Sequence, residues 1–215
     1  MKLSLQAVVL FLIAALSVSG FAQTAYVEGK HYTRLSEPVR TVNPKKIEVV
    51  EVFSYHCGHC YAFEPMIQAW KKSLPPYVAY VPMQAQWDSN LTRFARAQLT
   101  AKALHVEEKV HPAMFSAVQI PGQRVKMISN DEIEKIFTQA GVSTEKFEKT
   151  FNSFGVDSQL KQQKEKLAAY KVNSTPTIIV DGQYVVNATT DIDHQGMLDI
   201  TNFLIEKLRK ERGLE

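Results

Sequence analysis

Two cysteines three positions apart, and no others in 215 residues, constrain this chain more than any other feature. They lie in Ser54-Tyr55-His56-Cys57-Gly58-His59-Cys60. Ahead of them, residues 47–53 (Ile-Glu-Val-Val-Glu-Val-Phe) form a β-branched strand pattern. Behind them, Tyr61 to Trp70 places apolar residues at helical spacing. Cys57 is therefore expected where a strand hands over to a helix, at the helix's positive end, which favours a thiolate. On that helix Cys57 and Cys60 share a face, with Cα atoms roughly 5–6 Å apart, a span that a disulfide tolerates. One place in the chain can then hold a thiolate, a thiol or an S–S bond with little backbone movement, as a redox switch requires. His59 can donate a hydrogen bond or a positive charge to the Cys57 thiolate. Stabilising that thiolate stabilises the reduced pair and makes the disulfide a stronger oxidant.

Two other readings of the motif stand beside this one. A purely structural disulfide would close a very short loop and remove little chain entropy. A zinc site would draw on His56, Cys57, His59 and Cys60. Structural zinc sites usually recruit a second ligand pair, and His105, His111 and His194 show no paired spacing.

The start of the chain sets the compartment. Lys2 gives a short positive region, Ala7 to Leu16 is an unbroken apolar run, and Gly20 and Ala22 are small residues at −3 and −1 of a cleavage site before Gln23. This is the layout of a cleavable secretory leader over 1–22, with an apolar run too short to span a bilayer. An uncleaved anchor is the competing reading. In an oxidising compartment a lone CxxC pair can donate its disulfide, whereas in the cytosol it would suggest a reductase. The net charge of +3 falls by one with the leader's Lys2, too little to suggest nucleic-acid binding.

Further along, Glu51 falls within the strand, six residues before Cys57. If buried, its pKa would rise and it could move protons during exchange; the alternative is a strand-end carboxylate in water. Period-two alternation puts Ile47, Val49, Glu51 and Phe53 on one face and Val50 and Val52 on the other, with Glu48 expected in solvent. A helix over about 57–73 leads to a second strand at 77–82, giving a βαβ unit. Residues 84–170 read as helical, including a capping box at Ser129–Glu132. Strand character returns at 177–180 and 184–186 around Asp181-Gly182, a hairpin signal. A last helix covers about 193–209. This order describes an α/β, thioredoxin-like fold with an inserted helical domain: residues 23–83 form its first part, 84–170 the insertion and 171–215 its second part.

Over nearly the whole mature chain the sequence resembles the DsbA family of exported thiol:disulfide oxidoreductases, within the thioredoxin superfamily. The resemblance rests on Val50 through Glu64 around the CxHC, on Phe151-Asn152-Ser153-Phe154 and Gln162-Gln163-Lys164 in the helical region, and on Val172-Asn173-Ser174-Thr175-Pro176-Thr177 through Tyr184. It implies that Cys57 carries the mixed disulfide and that Cys60 is the buried resolving thiol. His59 is implied to stabilise the Cys57 thiolate, and Glu51 to be the buried acid. Pro176 is implied to be cis and packed against the pair, with Thr175 offering backbone groups to an extended substrate and His56 beside them on the substrate side. One departure stands out: the family's commonest dipeptide is Pro-His, and here it is Gly58-His59, which loosens the turn.

The expected activity is that of a periplasmic dithiol oxidase. It would pass the Cys57–Cys60 disulfide to unfolded, cysteine-containing exported proteins and be reoxidised by a DsbB-type, quinone-linked inner-membrane partner. The resemblance implies a monomer with no metal or organic cofactor. A disulfide isomerase or reductase, and a holdase-like chaperone, are the alternative functions. Only residues 23–46 precede the first strand, which leaves no room for the dimerisation domain of a DsbC-type isomerase.

Overall fold

The structure, a computed structural model, describes residues 26–119 and 126–214; the expected leader lies outside them. In chain order its elements are β1 (Thr33–Arg34), β2 (Ile47–Phe53), α1 (Gly58–Lys72), β3 (Val78–Gln84), α2 (Ser89–Ala103), α3 (Glu107–Val118), α4 (Asn130–Gln139), α5 (Thr144–Phe151), α6 (Phe154–Ala169), β4 (Thr177–Val180), β5 (Tyr184–Asn187) and α7 (His194–Arg212). The strands form one sheet in the order β1-β5-β4-β2-β3. Only β2 and β3 are parallel, as the α1 crossover between them requires.

All seven residues of β2 are buried, because the sheet is covered on both faces. On one face Ile47 and Val49 pack with Ile178 and Val180 of β4, Phe63 and Ile67 of α1, and Met197 and Leu204 of α7. On the other, Val50, Val52 and Ile179 meet Phe94, Met114, Phe115 and Phe137 from the helical block. This is a thioredoxin-like core with helices α2–α6 inserted between β3 and β4.

Two expectations at the strand are corrected. Phe53 joins the Val50/Val52 side, edge-on to Tyr55 at 5.2 Å and to His111 at 5.3 Å. Phe53 is the last residue of β2, past the end of its pairing with β4 and paired only with Gln84 of β3. Glu48 is not in solvent: it is 2% exposed, accepts the Val42 N–H at 2.9 Å and faces Lys166 of α6 at 3.4 Å. The inserted helix brings a cation over a position that an uncovered sheet would leave wet.

The predicted hairpin forms, with Asp181 and Gly182 both at positive φ. Gly182 is also where the lead-in crosses. A Cβ there would lie 1.9 Å from the Val39 carbonyl oxygen, while the Val39 N–H donates to Gly182 O at 2.8 Å. Leu35 N–H donates to Gln183 O at 2.8 Å, so the lead-in is laced along the hairpin that carries the loop before Thr177.

Candidate active site

The helix α1 begins at the motif. Cys57 is its N-cap, in extended backbone geometry, and the Cys60 N–H donates to the Cys57 sulfur at 3.4 Å. Cysteine here does what Ser or Asp does at other helix starts, taking up an orphan N–H. Cys57 is partly exposed, whereas Cys60 is 1% exposed, and both are free thiols. The Cys57 pKa is drawn down to about 5, first by the Cys60 thiol hydrogen-bonded to its sulfur, with the Cys60 and His59 N–H groups adding to it against the cost of burial. The Cys60 pKa is raised, because its proton is held by Cys57 and the thiol is buried. The pair is thus asymmetric: one sulfur is ready to be a thiolate beside water, and the other keeps its proton inside.

The loop before β4 closes over the pair. The Thr175–Pro176 bond is cis, Pro176 is buried, and the Cys57 thiol donates to the Thr175 carbonyl oxygen at 3.3 Å. Glu51 lies in β2, 3% exposed, accepting a hydrogen bond from the Tyr80 hydroxyl. Burial pushes its pKa up to about 7, opposed by Tyr80. Its charge acts on Cys60, raising that thiol's pKa further. Of the two readings of Glu51 left open by the sequence, the buried one is correct.

His56 and His59 are both exposed at the rim. Among the described residues the His59 imidazole makes no hydrogen bond. Its ring sits edge-on to His194 with centroids 6.4 Å apart, and His194 in turn stacks on Phe63 at 4.8 Å. What His59 does supply to Cys57 is its backbone N–H.

Sequence reasoning missed the shell that holds the turn 54–57. Tyr55 N–H donates to Gln84 Oε1 at 3.2 Å, and Tyr55 O accepts from Gln119 Nε2 at 2.7 Å. Gln84 Nε2 also reaches Ser54 Oγ at 3.2 Å. The Tyr55 hydroxyl is hydrogen-bonded to His111 Nδ1 at 3.0 Å, and His111 Nε2 to Glu64 Oε1 at 3.1 Å. With Nε2 donating to the carboxylate, Nδ1 is left to accept from the phenol. These contacts join α3 to the active-site turn and to α1 across 56 and 47 positions. Nothing local in the sequence marks them; an apolar stripe on α3 interrupted by a histidine was the only trace.

Comparison with known proteins agrees with this geometry. A family model described as the DSBA-like thioredoxin domain matches residues 77–195. The thiol:disulfide interchange protein DsbA of Pseudomonas aeruginosa is 36% identical over 200 residues, covering 92% of this chain and 94% of that protein. The protein of the same name from Pseudomonas syringae pv. tomato is 38% identical over 181 residues, 84% of each. The crystal structure of Pseudomonas aeruginosa DsbA superimposes with a TM-score of 0.81 at 36% identity, covering 87% of this chain and 97% of that one.

Proposed function

This chain belongs to the DsbA family of thiol:disulfide oxidoreductases, and from that premise we propose that it oxidises reduced exported proteins in the periplasm, acting as a monomer and without a bound cofactor. The leader pattern over 1–22 supports export. In the forward reaction a substrate thiolate attacks the Cys57 sulfur of the Cys57–Cys60 disulfide. The bond between the cysteines breaks, and its electron pair goes to the Cys60 sulfur. Cys60 has a raised pKa, so it leaves well only if a proton reaches it as the bond opens. Glu51, buried with its pKa pushed up to about 7, is the nearby group that can carry such a proton near neutral pH.

In the second half, the substrate's other cysteine attacks its own sulfur in the mixed disulfide and expels Cys57. That sulfur leaves readily because its pKa is about 5. Thr175 and Pro176 would hold the substrate's extended backbone beside the mixed disulfide, with His56 and His59 at the rim. A protonated His59 ring would add positive charge to what its N–H supplies. A quinone-linked membrane partner of the DsbB type would then reoxidise the pair.

The observation that carries this reading is Cys57 as the N-cap of α1, its sulfur taking the Cys60 N–H and its pKa drawn down to about 5. A pair that stabilises its thiolate makes the reduced form the more stable one, so electrons flow from substrate to enzyme. Denaturant unfolding of the oxidised and reduced proteins tests it. The reduced form is expected to unfold at the higher denaturant concentration. If the oxidised form does so instead, the pair gives electrons away and the protein is a reductase or isomerase.

A further inference from the structure

Glu51 has a partner that the exchange steps above leave unused. Tyr80, on the neighbouring strand β3, donates its hydroxyl to Glu51 Oε2, and among the described residues no other side chain is hydrogen-bonded to that carboxyl. The phenol ring is itself fixed. Its face lies 5.5 Å from the Lys71 ammonium, and it meets the Trp70 ring edge-on at 6.3 Å. Lys71 and Trp70 both belong to α1, the helix that carries Cys60. Tyr80 therefore links the carboxyl to the last turn of α1, the helix whose first turn carries Cys60.

We propose that Tyr80 is a positioning residue for proton transfer to Cys60: by donating to Oε2 it confines the acid proton of Glu51 to Oε1. The physical ground is that the carbonyl oxygen of a carboxylic acid is a better acceptor than its hydroxyl oxygen. A donor fixed on Oε2 makes that oxygen the carbonyl and Oε1 the hydroxyl. When a substrate thiolate attacks Cys57, the S–S bond breaks and its electron pair passes to the Cys60 sulfur. That sulfur takes the proton from Oε1, and Glu51 is left as a carboxylate still accepting from Tyr80. Reoxidation runs the proton back. The phenol thus serves both protonation states without losing its own proton, which burial and the adjacent carboxylate hold firmly.

The other ionisable groups acting on Glu51 are Glu64, which favours the protonated acid, and His111 and Lys71, whose positive forms favour the carboxylate. None of them is hydrogen-bonded to it. The proposal rests on the disulfide-exchange function above, and its test separates the two. Tyr80→Phe keeps the ring and removes only the donor. Two readouts are needed: the midpoint of Glu51 followed by NMR of labelled glutamate carboxyls, and the rate at which dithiothreitol reduces the disulfide form across pH, corrected for its thiolate fraction. The expected results are a midpoint raised by about one pH unit and a low-pH plateau rate, where Glu51 is protonated in both proteins, reduced roughly threefold. In a Glu51→Gln background the same substitution should change nothing. If Y80F leaves midpoint and plateau unmoved, or slows the Glu51→Gln protein equally, Tyr80 is only packing and the proposal fails alone. If the unaltered protein does not exchange with dithiothreitol at all, the functional reading fails and takes this one with it.

Discussion

At the scale of single residues, two titrations pull the stability of the reduced protein in opposite directions. Folding lowers the Cys57 pKa to about 5 from the ordinary thiol value of 9.0. Between those values the unfolded chain binds more protons than the native one, so this contribution grows as pH rises and is lost as pH falls through 5. Folding raises the Glu51 pKa to about 7 from 4.5. Between those values the native state binds more protons, so its contribution is complete below 4.5 and lost as pH rises through 7. Substitution separates them. Cys57→Ser should flatten the rise of reduced-form stability between pH 5 and 8, leaving the Glu51 decline exposed. Glu51→Gln keeps an acceptor for Tyr80 and should stabilise the protein at pH 8 by on the order of 2 kcal/mol, with no gain at pH 4. Urea midpoints of both variants across pH 4–8 check both signs; a Glu51→Gln gain that is equal at pH 4 and pH 8 would show that the carboxyl is not the titrating group.

At the scale of elements, legibility followed the range of the signal. The capping box at Ser129–Glu132 forms as written, because every group in it lies within four residues. Asp193, at the expected start of the last helix, caps α7 for the same reason, while the helix runs past the expected 209 to end at Gly213 with positive φ. The two-residue strand β1 had no such mark: Thr33 and Arg34 are in a strand only because β5 presents them an open edge. Glu48 was misread because its burial is decided by Lys166, more than a hundred positions away. Two substitutions test the elements nearest the site. Gly58 is the first residue of α1, where proline's fixed φ suits the helix and its missing N–H costs nothing. A Cβ there would meet only Gln119 Oε1, at 3.9 Å. Gly58→Pro should therefore raise thermal stability by about 0.5–1 kcal/mol, and a loss would mean that the open turn is needed. Gly182→Ala meets the opposite situation, a positive φ and a backbone oxygen at 1.9 Å. It should cost about 2 kcal/mol or more and free the amide of Val39, which hydrogen exchange would register.

On the scale of the whole molecule, the helical insertion acts as the wall against which the active-site turn is set. The thioredoxin-like core supplies β2, α1 and the Thr175–Pro176 loop, which are sufficient to bring the two sulfurs and Glu51 together. The turn between β2 and α1, however, has its Tyr55 carbonyl turned away from both elements, toward Gln119 at the end of α3. Gln84, which takes the Tyr55 N–H, has its own backbone N–H donating to Gln98 Oε1 of α2, and Gln98 Nε2 reaches Pro82 O. The insertion thus holds the backbone of the turn through neutral amides, whose hydrogen bonds do not depend on the charge of the thiolate, while the Tyr55 side chain is held separately by His111 and Glu64. Removing one amide isolates the effect. Gln119→Ala leaves a buried carbonyl unpaired and should destabilise the protein by about 1–2 kcal/mol. Because the lost bond sits on the turn, amides from Tyr55 to Cys57 should exchange faster by more than the global loss explains, while those of β4 and β5 should follow global stability alone. Uniform acceleration across the sheet and the turn would instead mean that Gln119 contributes to packing at large and that the core holds the active-site turn without help from the insertion.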